Sequence, residues 1–322
     1  MFDMRRREVI ALLGGAASAW PLAARAQQNM PTIGVLVTGN PSPEGFLREF
    51  RAALRAAGLI EGQNILLEVR SAEGSDALLP QKAAELVRLK VDVIVAALTP
   101  AVQAARHATS DIPIVMAAAG DPVATGLISS LARPGGNITG VSGAAVETAG
   151  KRLEFVRELV PSVRRVAVLA NETDPFAAPF AAQLGQSARS IGIEIEPILI
   201  RPDAPQAPAF AAMSAKQVDA FIIELGTIRP ETAELAIKHR LPSSGPRLWP
   251  STGGLIGYSG NVAEINRLAA DYVDKLLKGR KPADLPVALP TKFDLAVNLN
   301  TAKALDLKIP ETFLLRANEV IE

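Results

Sequence analysis

The apolar run Ile33-Gly-Val-Leu36 leads into a proline-rich loop, an alanine- and arginine-rich helix, a turn at Gly58 and a second strand. Val166-Ala-Val-Leu169 leads in the same way into a polar loop, an alanine-rich helix, a turn at Gly192 and a strand. The span from Leu36 to Gly58 is 22 residues, and the span from Leu169 to Gly192 is 23. This repeat predicts two similar lobes that each open with the same β-loop-α-turn-β unit. A single large sheet is the alternative.

Short β-branched runs alternate with amphipathic stretches along the chain. The predicted strands are residues 33–37, 65–69, 91–96, 114–116, 138–141, 166–169, 193–200, 218–223 and 255–258. Several are continuously apolar, as strands covered on both faces must be. Alternation of strands and helices favours an α/β protein with doubly wound parallel sheets. We expect the boundary between the lobes near residues 142–148, where the repeat is about to restart.

The N-terminus has the pattern of an export signal. Arg5-Arg6-Arg7 precedes the apolar run Val9–Leu13, and Ala24-Arg25-Ala26 fits a cleavage site near Ala26. The apolar run is shorter than the ~20 residues that span a bilayer. Residues 1–26 are therefore predicted to be a signal peptide. The arginine pair fits both Sec and Tat export, and the absence of cysteine excludes a lipid anchor at the cleavage site, so we expect a free periplasmic protein.

Charge and composition exclude several function classes. With 34 basic and 33 acidic residues the net charge is +1, which argues against a nucleic-acid partner. The two histidines, His107 and His239, stand at no metal-ligand spacing, so neither a metal nor another cofactor is expected. The segment Gly140-Val-Ser-Gly-Ala144 lacks the last glycine of a nucleophile elbow. No catalytic residues are predicted, and the protein is not expected to be an enzyme.

Polar residues follow the predicted strands, at the edge where α/β sheets bind ligands and where helix N-termini offer free N–H groups. In the first lobe these residues are Thr38, Gly39, Asn40, Thr99, Pro100, Gly120, Asp121 and Pro122, and in the second lobe they are Asn171, Asp174 and Glu224. The aromatic Tyr258, at the end of the last predicted strand, is a further candidate.

Two of these predicted positions have structural alternatives. Thr99 is predicted as a helix N-cap with Pro100 at N1, so its role could be capping alone, and Asp121-Pro122 could simply form a turn. If Asp121 does line the site, Asp121→Ala should weaken ligand binding. Few tryptophans and tyrosines are present, 2 of each, which disfavours a sugar ligand. A small carboxylate-bearing ligand, amino-acid-like or an aromatic acid, fits helix N-termini and hydroxyl groups better.

Several blocks along the chain resemble a known family. Asp121-Pro-Val-Ala-Thr-Gly-Leu127, Leu131-Ala-Arg-Pro-Gly-Gly-Asn-Ile-Thr-Gly140, Tyr272-Val-Asp-Lys-Leu-Leu-Lys-Gly279, Asn298-Leu-Asn-Thr-Ala-Lys-Ala-Leu305 and Arg316-Ala-Asn-Glu-Val-Ile-Glu322 are similar to ABC transporter substrate-binding proteins related to the tryptophan/tyrosine uptake type. The resemblance implies a type I periplasmic binding fold, in which two lobes joined by three crossovers close over a ligand. It also implies a place for Ser142 among the ligand loops.

The lobe boundaries and the partners follow from the resemblance. Lobe 1 is expected at 31–143 with about 255–283, and lobe 2 at 144–254 with about 284–322. The implied partners are a small-molecule ligand and an ABC permease in the inner membrane, and the protein is expected to be monomeric. The alternatives are a ligand-sensing partner of a receptor and a periplasmic hydrolase. Neighbouring genes for a permease and an ATPase would separate transport from sensing.

Overall fold

The structure, a computed structural model, describes residues 30–39, 43–201 and 203–322. The predicted signal peptide at residues 1–26 and the predicted ligand residue Asn40 lie outside the described residues. Among the helices in the described ranges, none combines the length and the hydropathy that crossing a bilayer demands.

The first lobe is built on a parallel five-stranded sheet with the order β2-β1-β3-β4-β5. Its strands are β1 (Thr32–Val37), β2 (Leu66–Ser71), β3 (Val93–Ala97), β4 (Ile114–Ala119) and β5 (Ile138–Ser142). Three helices of this lobe are α1 (Pro43–Ala56), α2 (Leu79–Arg88) and α3 (Leu98–Ala108). All of β3 is buried, which explains its uninterrupted apolar sequence.

The second lobe holds a seven-stranded sheet with the order β12-β11-β10-β9-β8-β6-β7. Its strands are β6 (Arg165–Asn171), β7 (Glu194–Ile200), β8 (Ala220–Ile223), β9 (Ser243–Gly245), β10 (Ile256–Gly260), β11 (Phe293–Asn298) and β12 (Glu319–Ile321). Its first four helices are α4 (Ala145–Leu159), α5 (Ala177–Arg189), α6 (Ala207–Ala215) and α7 (Pro230–Lys238). Only the pair β10 and β11 is antiparallel among the described strand pairs. The predicted doubly wound α/β architecture is confirmed.

The sequence repeat corresponds to a structural repeat. In the first lobe, β1 is followed by α1 and then by β2, which pairs with β1 in parallel. In the second lobe, β6 is followed by α5 and then by β7, which pairs with β6 in parallel. Each lobe therefore opens with the predicted unit.

The chain passes between the lobes again after β10. Helix α8 (Val262–Leu277) returns to the first sheet, and its residues Ile265, Ala269 and Val273 share one buried cluster with Ile33 of β1. The chain stays beside β5 as far as Ala288, whose N–H donates to the carbonyl of Gly140 at 2.9 Å. It then enters β11, and α9 (Leu299–Ala304) and α10 (Glu311–Leu314) lead on to β12. The lobes are thus joined after β5, after β10 and before β11.

This path corrects the predicted limits of the returning first-lobe segment. The predicted segment 255–283 includes β10, which pairs with β9 and β11 of the second sheet. The predicted segment also stops short of residues 284–288, although this stretch is hydrogen-bonded to β5 of the first lobe through Ala288. A short apolar strand does not reveal in its own sequence which of two sheets it joins, because either sheet would bury it equally well.

Candidate functional site

The carboxyl ends of the two sheets face each other across a cleft with a volume of about 570 Å³. Residues predicted from strand ends line both of its walls. These are Thr38, Gly39, Thr99, Gly120, Asp174 and Glu224. The strand-end rule therefore locates the cleft, although it does not select all the residues that form it.

The first-lobe wall is held together by Thr99. Its Oγ1 accepts a hydrogen bond from the Gly120 N–H at 2.9 Å, which ties the loop after β3 to the loop after β4. Helix α3 begins at Leu98, and its N-cap is Ala97. The predicted N-cap at Thr99 and the predicted N1 position at Pro100 therefore both lie too late in the chain. The sequence could not show this start, because Leu98 enters the helix with a positive φ of 69°. Ala118, which also lines the cleft, has a φ of 60°, and strained backbone of this kind clusters at binding sites.

The structure does not bring every predicted residue to the cleft. The residues outside its lining are Pro100, Asp121, Pro122, Ser142, Asn171 and Tyr258. Asp121 instead stabilises a turn, which was the alternative to ligand binding. Its Oδ1 accepts hydrogen bonds from the N–H groups of Val123 (3.1 Å) and Ala124 (2.9 Å). The expectation that Asp121→Ala weakens ligand binding therefore loses its basis.

Asp121→Ala is now expected to leave ligand affinity within about twofold of the unmodified protein, because the carboxylate bonds only to its own turn. Loss of these hydrogen bonds should lower the free energy of unfolding by about 1 kcal/mol. Titration calorimetry and thermal melting measure the two effects. A tenfold loss of affinity would return Asp121 to the site.

Ser142 and Asn171 support the cleft from behind. The Ser142 hydroxyl donates to the carbonyl of Gly120 at 3.2 Å. The N–H of Asn171 donates to Oε2 of Glu224 at 2.8 Å. Both residues thus position a residue of the cleft wall without lining the cleft themselves.

Tyr258 belongs to an aromatic cluster in the second lobe. Its ring meets Phe155 edge-on at 5.2 Å and lies 5.9 Å from Phe293. Its carbonyl oxygen accepts a hydrogen bond from Nε of Arg152 at 2.8 Å. The side chain predicted among the ligand-binding residues therefore packs within the protein, while its backbone carbonyl orients an arginine.

Arg152 is the principal residue of the cleft that sequence reasoning missed. It lies on α4, lines the cleft and is only 5% exposed. Burial lowers the pKa of the guanidinium to about 10, and the negative charge of Glu224 opposes this shift. Arg152 thus stays charged at neutral pH. Its guanidinium carbon lies 6.0 Å from the ring centre of Phe180, which also lines the cleft.

Asp174 and Glu224 form a buried acidic pair on the same wall. The two carboxyl groups hydrogen-bond to each other, and Asp174 also accepts from the N–H of Phe176 at 2.8 Å. Burial is the main cause that raises the pKa of both groups, that of Glu224 well above its ordinary value. Two ionised carboxylates repel each other and cannot share a hydrogen bond, so the pair retains one proton.

Three phenylalanine side chains line the cleft. Phe46 comes from the first lobe, and Phe176 and Phe180 come from the second. The ring centres of Phe176 and Phe180 are 5.4 Å apart. Phe176 packs so closely on Gly120 that a Cβ added to residue 120 would lie 2.3 Å from the phenylalanine ring. The two lobes therefore touch at this point, and only glycine fits.

Metal ligation has no support in the described ranges. No group of three or more histidine, aspartate or glutamate side chains there is arranged to hold an ion. The cleft lining instead offers one buried cation, Arg152, and one buried acidic pair, together with hydroxyl groups and aromatic rings, which suit a small organic ligand.

Comparison with known proteins identifies the family. The profile described as ABC transporter substrate binding protein matches residues 33–321. The chain belongs to this family. The fold that the sequence resemblance implied, a type I periplasmic binding fold, is confirmed, and so is its general role as a substrate-binding protein.

Individual relatives share about a quarter of their residues with this chain. The tyrosine-binding protein of Clostridioides difficile (strain R20291) is 27% identical over 274 residues, which are 84% of this chain and 79% of that protein. An ABC domain from Streptococcus pneumonia, solved in complex with L-Trp, is 25% identical with a TM-score of 0.82, covering 91% of this chain and 100% of that one. The ligand-free, open structure of a substrate binding protein from Clostridium difficile is 24% identical with a TM-score of 0.65, covering 90% and 99%.

Proposed function

We propose that the protein is an exported periplasmic receptor that captures an amino-acid-like or aromatic carboxylate between its lobes and delivers it to an ABC permease of the inner membrane. Membership of the family supports the coarse role. The ligand class, the site residues and the compartment are our proposal.

The observation that carries the ligand class is the charge of Arg152. Within the part of the chain that the structure describes, Arg152 is the only buried lysine or arginine, and it lines the cleft. A buried guanidinium binds a carboxylate with two charge-assisted hydrogen bonds. The Asp174–Glu224 pair on the same wall provides acceptor oxygens for an ammonium or hydroxyl group.

The shape and lining of the cleft favour an aromatic body for the ligand. Phe46, Phe176 and Phe180 line it with aromatic rings. The relatives include a tyrosine-binding protein and a domain that holds L-Trp. We therefore place aromatic amino acids and aromatic acids first among candidate ligands.

Capture requires closure of the two lobes, and two features support a closed arrangement here. Phe176 of the second lobe packs on Gly120 of the first. The TM-score is also higher with the L-Trp complex, 0.82, than with the open, ligand-free structure, 0.65, at nearly equal identity. Ligand would favour the closed form by bridging both walls.

A thermal-shift screen tests the ligand class. The panel consists of aromatic amino acids, aliphatic amino acids, benzoate derivatives and hexoses, each at a concentration about 100 times a micromolar Kd. A carboxylate ligand should then stabilise the protein by about 3 kcal/mol, whereas hexoses should not. Stabilisation by a hexose alone, or turnover of a chromogenic ester without stabilisation, would contradict the proposal.

Export has a separate test that needs no ligand. Expression of the full chain in a Gram-negative host should yield a periplasmic protein whose N-terminal sequence begins at Gln27. Replacing Arg6 and Arg7 by lysine separates the two routes, since the Tat route depends on the arginine pair. Retention of residues 1–26 in a cytoplasmic product would contradict export.

A further inference from the structure

The two lobes are also bonded to each other outside the ligand cleft. Asp76, in the short turn Asp76–Leu78 that follows β2, belongs to the first lobe. Its Oδ2 accepts a hydrogen bond from Nδ2 of Asn171 at 2.7 Å and another from the hydroxyl of Thr173 at 2.9 Å. Both donors belong to the loop after β6 in the second lobe. None of the three residues lines the cleft.

These donors belong to a small network that reaches the ligand wall. Oδ1 of Asn171 accepts a hydrogen bond from the N–H of Thr173 at 2.9 Å and lies 2.8 Å from the Thr173 hydroxyl, whose one proton can be donated either to Asn171 or to Asp76. The N–H of Asn171 donates to Glu224 at 2.8 Å. Asp76 therefore bonds to the same residue that positions Glu224 of the acidic pair.

We propose that Asp76 is a positioning residue whose hydrogen bonds to the loop after β6 act as a latch, holding the lobes closed without ligand. Closure also brings the charge of Asp76 against the Asp174–Glu224 pair, so that the closed form retains a proton that the open form releases. The proposal goes beyond ligand capture, because it concerns the protein with an empty cleft. It holds whichever ligand the protein binds.

The charges around the pair support this coupling. The charged groups that act on the pair are Asp76, from the turn after β2, and Arg152, from α4. Burial is the main cause of the raised pKa of Asp174 and Glu224, and the negative charge of Asp76 raises both further. Opening the lobes removes the Asp76 contribution, so the pKa of the pair falls and a proton leaves.

The direction of the pH effect follows from this difference between the two forms. A carboxyl group whose pKa is higher in the closed form binds its proton more tightly there. Closure is therefore favoured at low pH, and this advantage is lost as the pH rises through the closed-form pKa values. The pKa of each group is raised from its ordinary value, and that of Glu224 lies well above it.

The test measures the distance between the lobes in the ligand-free protein. Because the chain contains no cysteine, Arg88→Cys on α2 and Gln186→Cys on α5, both exposed, give two specific positions for spin labels. Electron–electron resonance at about pH 5 and about pH 8 then gives the closed fraction. We expect this fraction to fall at least about twofold between the two values.

Two substitutions of Asp76 separate the latch from the proton coupling. Asp76→Ala removes the interlobe bonds and the charge together, so it should reduce the ratio of closed to open protein about tenfold at about pH 5 and also weaken the pH response. Asp76→Asn keeps one acceptor oxygen but no charge, so its closed fraction should vary less with pH than that of the unmodified protein. Glu172→Ala, which removes an exposed carboxylate close to the same loop, is the matched control and should change neither quantity.

Each part of the proposal can fail separately. An unchanged distance distribution in Asp76→Ala would overturn the latch. An unchanged pH response in Asp76→Asn would overturn the coupling. Equal melting temperatures of the ligand-free variants confirm that each lobe remains folded. Since no ligand is used, these failures are distinguishable from failure of the proposed ligand class.

Discussion

Arg152→Met is expected to lower the affinity for a carboxylate ligand at least about 100-fold. Removing one partner from a buried ion pair costs about 3 to 5 kcal/mol, and each 1.4 kcal/mol is a tenfold change in Kd. Two losses combine here. The ligand carboxylate loses its guanidinium, and the Asp174–Glu224 pair loses the cation that acts on Glu224 from α4.

A comparison of acid and amide ligands makes this prediction specific. With the carboxylate that gives the largest thermal shift, and with its neutral amide, titration calorimetry should show that the unmodified protein prefers the acid. Arg152→Met should bind the two compounds within about threefold of each other, because no charge-assisted bond to the acid remains. A variant that still preferred the acid would show that another group binds the carboxylate.

A neighbouring lysine provides the matched control for Arg152. Lys151 precedes Arg152 on the same helix but is exposed, and its ammonium pairs with Glu154 at 2.7 Å. Exposed pairs of this kind contribute up to about 1 kcal/mol to stability. Lys151→Met should therefore leave the affinity and the preference for the acid unchanged, although it removes the same charge from the chain.

The sequence allowed most of the first sheet to be predicted, because parallel strands covered on both faces consist of unbroken apolar residues. Strands β1, β3 and β5 correspond closely to predicted runs. Strand β9 is the opposite case: it consists of Ser243, Ser244 and Gly245, all buried, and its short polar sequence resembles a loop. Such a strand forms only because its neighbours in the sheet supply its hydrogen bonds.

The candidate site was only partly predictable, and the reasons differ between residues. The strand-end rule found Asp174 and Glu224, because it depends on the direction of parallel strands alone. It could not find Arg152, since an arginine beside a lysine on an amphipathic helix is typical of a solvated face. Phe176 and Phe180, four residues apart, have the spacing of core residues on a helix, and both do pack into the second-lobe core while also lining the cleft.

Gly120→Ala is expected to prevent closure while leaving both lobes folded. The added Cβ would lie 2.3 to 2.7 Å from ring atoms of Phe176, closer than real Cβ contacts come. Gly120 has no positive φ, so alanine suits the backbone of the open form. Ligand affinity should fall at least about 100-fold, because a ligand held by one wall loses roughly half of its contacts and the closed form is no longer populated.

The steric cause can be tested by a second substitution. Phe176→Ala removes the ring that the new Cβ would meet, so Gly120→Ala with Phe176→Ala should close again and regain part of the affinity. The price is stability, since Phe176 is 5% exposed and truncation of a buried phenylalanine costs about 3 to 5 kcal/mol. Gly185→Ala is the control for replacing a glycine by alanine without a steric clash, because a Cβ at residue 185 meets nothing within 4 Å.

Small-angle scattering with saturating ligand distinguishes the outcomes of the Gly120 series. The unmodified protein and Gly185→Ala should contract when ligand binds, whereas Gly120→Ala should keep the radius of gyration of the ligand-free open form. Contraction of Gly120→Ala with normal affinity would show that Phe176 can turn aside within the closed form. The contact between Gly120 and Phe176 would then result from closure without limiting it, and control of closure would shift to the bonds between Asp76 and the loop after β6.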